Sequence, residues 1–153
     1  MIKLMNTWYS HSILFLLLLS VFVNACATTP AEQTGVVIEY QRSGGYAGVD
    51  ERYSIYANGL ISSNNNRQGQ ADKKVLDELM LQIRKQGFYE LASKYIPKNA
   101  CCDRFSYQLM IRDGTQTHTV SAVGGDPRAP EQLWDILKLV QQFIEDETVA
   151  STK

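Results

Sequence analysis

FSYQLMIRDGTQTHTVSAV, Phe105 to Val123, is the stretch on which the fold turns. Phe105, Tyr107, Leu109 and Ile111 alternate with Ser106, Gln108, Met110 and Arg112, the period of a strand with one face buried. Asp113-Gly114 supplies the backbone freedom of a tight turn, and Thr115 to Val123 reads as the returning strand. A β-hairpin is therefore expected here, with one apolar face in need of cover.

Upstream, Val36 to Arg42 alternates in the same way, with Val36, Ile38 and Tyr40 on one side. A second strand is expected from about Glu51 to Ala57, and Asn58-Gly59 turns it into a third over Leu60 to Ser62. Ser63 to Gln70, SNNNRQGQ, has no period and reads as a mobile loop. Asp72 can cap a helix over Lys73 to Gln86, in which Leu76, Leu79, Met80 and Ile83 share a face and Gly87 is the stop. Pro130 suits the first turn of a last helix whose stripe is Leu133, Leu137, Val140 and Ile144. The order β-β-β-α-β-β-α predicts a two-layer α+β domain, an antiparallel sheet with two amphipathic helices on one face.

The N-terminal part reads as processing signal. The apolar run Ile13 to Val23 falls well short of the roughly 20 residues of a membrane-spanning helix and fits the core of a secretory signal. Val23-Asn24-Ala25-Cys26 resembles a bacterial lipobox, which makes Cys26 the expected lipid attachment point and residues 1–25 the part removed. Residues 26–34 then form a lipidated cysteine and flexible tether, residues 35–147 the domain, and residues 148–153 a disordered tail. The lipid bilayer is the first expected partner. Ala27, rather than Asp, behind the anchor cysteine points to the outer membrane, facing the periplasm or the surface, if the host is Gram-negative.

Several function classes are disfavoured. Loss of Lys3 with the leader would leave 14 basic against 16 acidic residues, far from the balance of a nucleic-acid binder. No nucleic acid is expected as a partner and no cofactor is called for. Of the two histidines, only His118 lies in the expected domain, and no metal-binding spacing such as HExxH or CxxC accompanies it. No metal site or catalytic group is expected. Cys101 and Cys102 are adjacent and bond to each other only through a strained ring, so they read as two small half-buried residues.

One segment asks for a use. Ser43-Gly44-Gly45-Tyr46-Ala47-Gly48 joins the first two strands. A phosphate cradle needs a following helix N-terminus, which this link lacks. What remains is an ordinary turn, with Tyr46 covering the core, or an exposed loop that meets a partner.

These residues also carry a resemblance. Ser43 to Gly48, the helix end Gly87-Phe88-Tyr89-Glu90-Leu91, the run Asp103-Arg104-Phe105-Ser106-Tyr107, then His118-Thr119-Val120 and Ala129-Pro130 together resemble the emfourins, over about Val37 to Phe143. Emfourins are proteinaceous inhibitors of thermolysin-like, protealysin-type metallopeptidases. The resemblance implies such a peptidase as partner and an inhibitory role without enzymatic activity. Such enzymes take extended chains and favour a bulky apolar side chain beside the scissile bond. Ser43, Gly44, Gly45, Tyr46, Ala47 and Gly48 are then the expected contact loop, with Asp103 and Arg104 alongside if the strand order permits. The chain departs from the resemblance in its lipoprotein leader and in longer loops at Asn64 to Gly69 and Ser93 to Cys102. The competing reading is a structural or assembly lipoprotein that holds another envelope protein, with Asp103 and Arg104 as a structural ion pair.

Overall fold

A computed structural model of the chain describes residues 35–99 and 103–150. The expectations for the leader, Cys26, the whole tether, Cys101, Cys102 and residues 151–153 lie outside the described residues. The strands are β1 (Val36–Gly44), β2 (Val49–Tyr56), β3 (Leu60–Ser63), β4 (Gln68–Gln70), β5 (Lys94–Tyr95), β6 (Phe105–Asp113) and β7 (Gln116–Val123). Two helices, α1 (Lys73–Lys85) and α2 (Glu131–Ala150), and a short 3-10 turn, Phe88–Glu90, complete the order. The domain is α+β, as its alternating and helical periods predict.

The seven strands form one sheet in the order β4-β3-β2-β1-β6-β7-β5. Hairpins join β1 to β2 and β6 to β7, while β1 and β6, far apart in sequence, pair antiparallel from Ile38↔Ile111 to Gly44↔Phe105. The sheet is not wholly antiparallel. β5 runs parallel to β7 through Lys94↔Ser121 and Tyr95↔Ala122 at one edge.

Alternation puts Ile38, Tyr40, Tyr53, Ile55, Leu109, Ile111, Val120 and Ala122 on the same face. They share one buried cluster with Leu76, Leu79 and Ile83 of α1 and Leu133, Ile136, Val140 and Ile144 of α2, so both helices cover that face. At about 25 cal/mol per Å² of apolar surface removed from water, this shared core is the main source of stability. Asp72 caps α1 by accepting from the Lys74 N–H at 2.7 Å, and Gly87, with φ 70°, takes the left-handed conformation that stops it.

Two expectations are corrected. The polar stretch Ser63 to Gln70 ends as strand β4, which pairs with β3 through Ile61↔Gly69. The end of the chain does not fall away at residue 148, because α2 continues to Ala150. Both follow from one contact. Gly69 lies so close to α2 that a Cβ would sit 2.7 Å from the Glu147 carbonyl oxygen. Thr148 is buried there, and Arg67 donates to its Oγ1 at 2.9 Å and to the Tyr53 hydroxyl at 3.2 Å. A sequence pattern cannot show this, since β4 has no apolar side chain and is specified by the surface it meets.

Gly69→Ala should therefore push the end of α2 off the sheet and cost about 1–3 kcal/mol. Urea unfolding that leaves the midpoint unchanged would show that this approach is not tight.

Candidate functional site

Strand pairing brings three sets of connecting residues to one end of the sheet: the β1–β2 turn, the described residues 96–99 after β5 with 103–104 before β6, and residues 124–130 between β7 and α2. The β1–β2 turn is Gly45-Tyr46-Ala47-Gly48, closed by the Gly48 N–H donating to the Gly45 carbonyl at 3.0 Å. Tyr46 is one of its two central residues and is 95% exposed, so it does not cover the core. Ser43, which faces the side of the sheet without helices, pairs with Asp50 and Ser106. Ala47 and Gly48 are exposed.

The exposed tip stands on a fixed base. Gly44 and Gly45 have φ of 101° and 69°, a region in which an L side chain is strained. A Cβ on Gly44 would lie 2.5 Å from the Arg104 carbonyl oxygen, and one on Gly45 2.7 Å from the Phe105 ring. The Gly45 N–H also donates to the Arg104 carbonyl at 3.3 Å. The Arg42 guanidinium stacks over the same Phe105 ring, 5.3 Å from its centre, and pairs with Glu51 at 2.9 Å. The glycines thus let a strand end close over an aromatic ring while leaving Tyr46 outside.

Arg104 lies against this turn through its carbonyl, and Asp103 precedes it in the chain. Asp103 is a non-glycine residue at φ 56°, and the Arg104 guanidinium reaches the Gly124 carbonyl at 3.4 Å rather than its neighbour's carboxylate. The alternative of an Asp103–Arg104 ion pair is not seen among the described residues.

A second anchored element at this end escaped the sequence reading. The Asp126 carboxylate has no solvent exposure and accepts from the Arg128 N–H at 3.0 Å, from Nε at 3.0 Å and from Nη2 at 2.7 Å. The same guanidinium donates to the Ile96 carbonyl at 2.6 Å, which ties the segment after β5 to the one after β7. These hydrogen bonds hold the Asp126 carboxyl below the usual carboxylate range. Asp126-Pro127-Arg128 has the local pattern of a turn closed by an Asp side chain, a signal that was legible.

His118 has a structural place. Its Nε2 lies 2.9 Å from the Leu91 carbonyl, and its ring meets Phe88 edge-on at 5.4 Å. Among the described residues no group of three or more His, Cys, Asp or Glu is placed to hold a metal ion. No helix of the described residues is long and apolar enough to cross a membrane.

Gly44→Ala should destabilise the domain by about 1–3 kcal/mol, since backbone strain and the clash with Arg104 act together. Gly48→Ala, whose Cβ would meet nothing within 4 Å, should cost less, and equal losses in chemical unfolding would contradict the tight base. The Asp126 carboxyl titrates lower when folded than an aspartate in the unfolded chain, so its contribution is present above the unfolded value and is lost as pH falls through the folded one. Asp126→Asn should accordingly flatten the acid limb of a melting-temperature profile below about pH 4 while lowering stability at neutral pH. An unchanged acid limb would remove the carboxylate from this role. No protein-family model and no curated protein matches this chain.

Proposed function

We propose that this protein is a lipid-anchored inhibitor of a thermolysin-like metallopeptidase that acts by placing the Ser43 to Gly48 turn in the peptidase cleft. One observation carries the reading. Tyr46, the most exposed large apolar side chain among the described residues, stands at the tip of a turn whose backbone is hydrogen-bonded on both sides. An exposed tyrosine on a pre-ordered base supplies apolar contact and loses little conformational entropy on binding. That is what a cleft selective for a bulky apolar residue requires. The emfourin-like order of Ser43 to Gly48, Asp103 to Tyr107 and Ala129-Pro130 supports the same partner.

The anchor is assigned to Cys26, nine positions before Gly35, with the protein held in the outer membrane if the host is Gram-negative. At no more than about 3.5 Å per residue the intervening chain keeps the domain within roughly 30 Å of the bilayer. Its target is then an exported peptidase in the same compartment. The protein acts by binding and not by catalysis.

Titration of a thermolysin-like peptidase with residues 27–153, read with a short peptide substrate, should give saturable loss of activity with the added protein left uncut. Tyr46→Ala should weaken inhibition by about 2 kcal/mol or more, roughly 30-fold, with the melting temperature unchanged. No loss of activity at micromolar concentration against several such enzymes would replace this reading with that of an assembly lipoprotein binding another envelope protein.

A further inference from the structure

The described surface exposes four large apolar side chains: Tyr46, Leu60, Val75 and Ile96. Two of them, Tyr46 and Ile96, stand at the same end of the sheet. Tyr46 follows β1, and Ile96 follows β5, three strands away across β6 and β7. With neighbouring strands about 4.8 Å apart, the two anchors are separated by about 14 Å, close to the span of four extended residues.

Ile96 is 46% exposed in a segment with little regular structure, yet its backbone is held. Arg128 donates to its carbonyl, and Arg128 is in turn fixed by the fully buried Asp126 carboxylate. Ile96 itself lines a small recess of about 170 Å³ on the face without helices, together with Gln41, Ser43, Ser121, Tyr107 and Val123. The side chain thus borders a surface recess instead of joining the core cluster. Three hydrogen bonds from Arg128 to a carboxylate without solvent exposure hold this residue, and through it the Ile96 carbonyl, in one place.

We infer that Ile96 is a second anchor of the partner surface, seated in an apolar subsite of the metallopeptidase cleft about 14 Å from the one that takes Tyr46, and that Arg128 is its positioning residue. The inference rests on the inhibitor reading and extends its site from one turn to two. A cleft that binds a polypeptide in extended form offers side-chain subsites along its length, and two rigid anchors at this spacing span several of them. Arg104, exposed between the two elements, lies on the path joining them.

The test measures inhibition of thermolysin by the mature full-length chain, beginning at Cys26, in detergent micelles. Ile96→Ala, Arg128→Ala and the double variant are compared with the unaltered protein, each checked by thermal unfolding. Ile96→Ala should weaken inhibition about 10-fold or more. Arg128→Ala should weaken it comparably, and the double variant no further than Ile96→Ala alone, because Arg128 acts through Ile96. Arg128→Lys should restore part of the loss by keeping one donor to the Ile96 carbonyl. Inhibition unchanged by Ile96→Ala, a truncation at a half-exposed position that leaves the core intact, would overturn the second anchor whatever the folding of the Arg128 variants. Additive losses would overturn the positioning role. An unaltered protein that fails to inhibit would instead overturn the inhibitor reading and this inference with it.

Discussion

The antiparallel pairing of β1 with β6 is the constraint from which the rest of the structure follows. It is the one seam that joins the four-stranded meander of β1 to β4 to the second hairpin, and it runs through the centre of the sheet. Every hydrogen-bonded pair across it closes a loop of more than sixty residues, so the seam forms only if the two apolar faces gain enough from shared cover. α1 and α2 supply that cover by burying their stripes against Ile38, Ile55, Leu109 and Ile111. The register of the seam then fixes which ends meet. With Gly44 opposite Phe105, the glycine turn has no choice but to lie against Arg104 and the Phe105 ring.

The candidate site is a consequence of that register. Strand ends at one edge of a twisted sheet bring their connections together without any local signal that they should meet. Here the turn at Gly45, the segment ending at Arg104 and the connection at Asp126 converge because β1, β6 and β7 end in step. The backbone contacts among them are short and specific, whereas the side chains of Tyr46 and Ile96 remain outside. Rigid support under exposed apolar groups distinguishes such an end from an ordinary set of hairpin turns, in which exposed residues are small or polar. A binding function needs this combination because contact area gained at a mobile loop is offset by the entropy of ordering it.

The opposite side of the fold shows the same principle in a structural role. β4 has only Gln68, Gly69 and Gln70, and its pairing would be weak in isolation. It persists because Gly69 admits the end of α2 to backbone distance and Arg67 bridges Thr148 to Tyr53. β5 is similarly short and is held by parallel pairing to β7, by the Ser121 N–H donating to the Ser93 carbonyl and by Tyr95, which is buried and whose hydroxyl accepts from the Ala92 N–H. Neither strand has a periodic pattern, so both are made by their neighbours.

What the sequence determined by itself was the set of long elements and their inward faces. Alternation in Phe105 to Ile111, the Asp113-Gly114 and Asn58-Gly59 turns, and the stripes of α1 and α2 are local properties. Each depends on residues within one or two turns of the chain, and such patterns survive any tertiary arrangement. The glycine turn with Tyr46 was legible for the same reason, as was the placing of His118 within the sheet. Tertiary structure decided the strand order, the parallel edge at β5, the existence of β4, the reach of α2 to Ala150, and the meeting of Gly45 with Phe105. It also selected Asp126, Arg128 and Ile96, residues that lie up to 32 positions apart and acquire a joint role only when β5 and β7 lie side by side. Hydrogen bonds and close approaches between distant segments depend on three-dimensional register, which no short window of sequence contains.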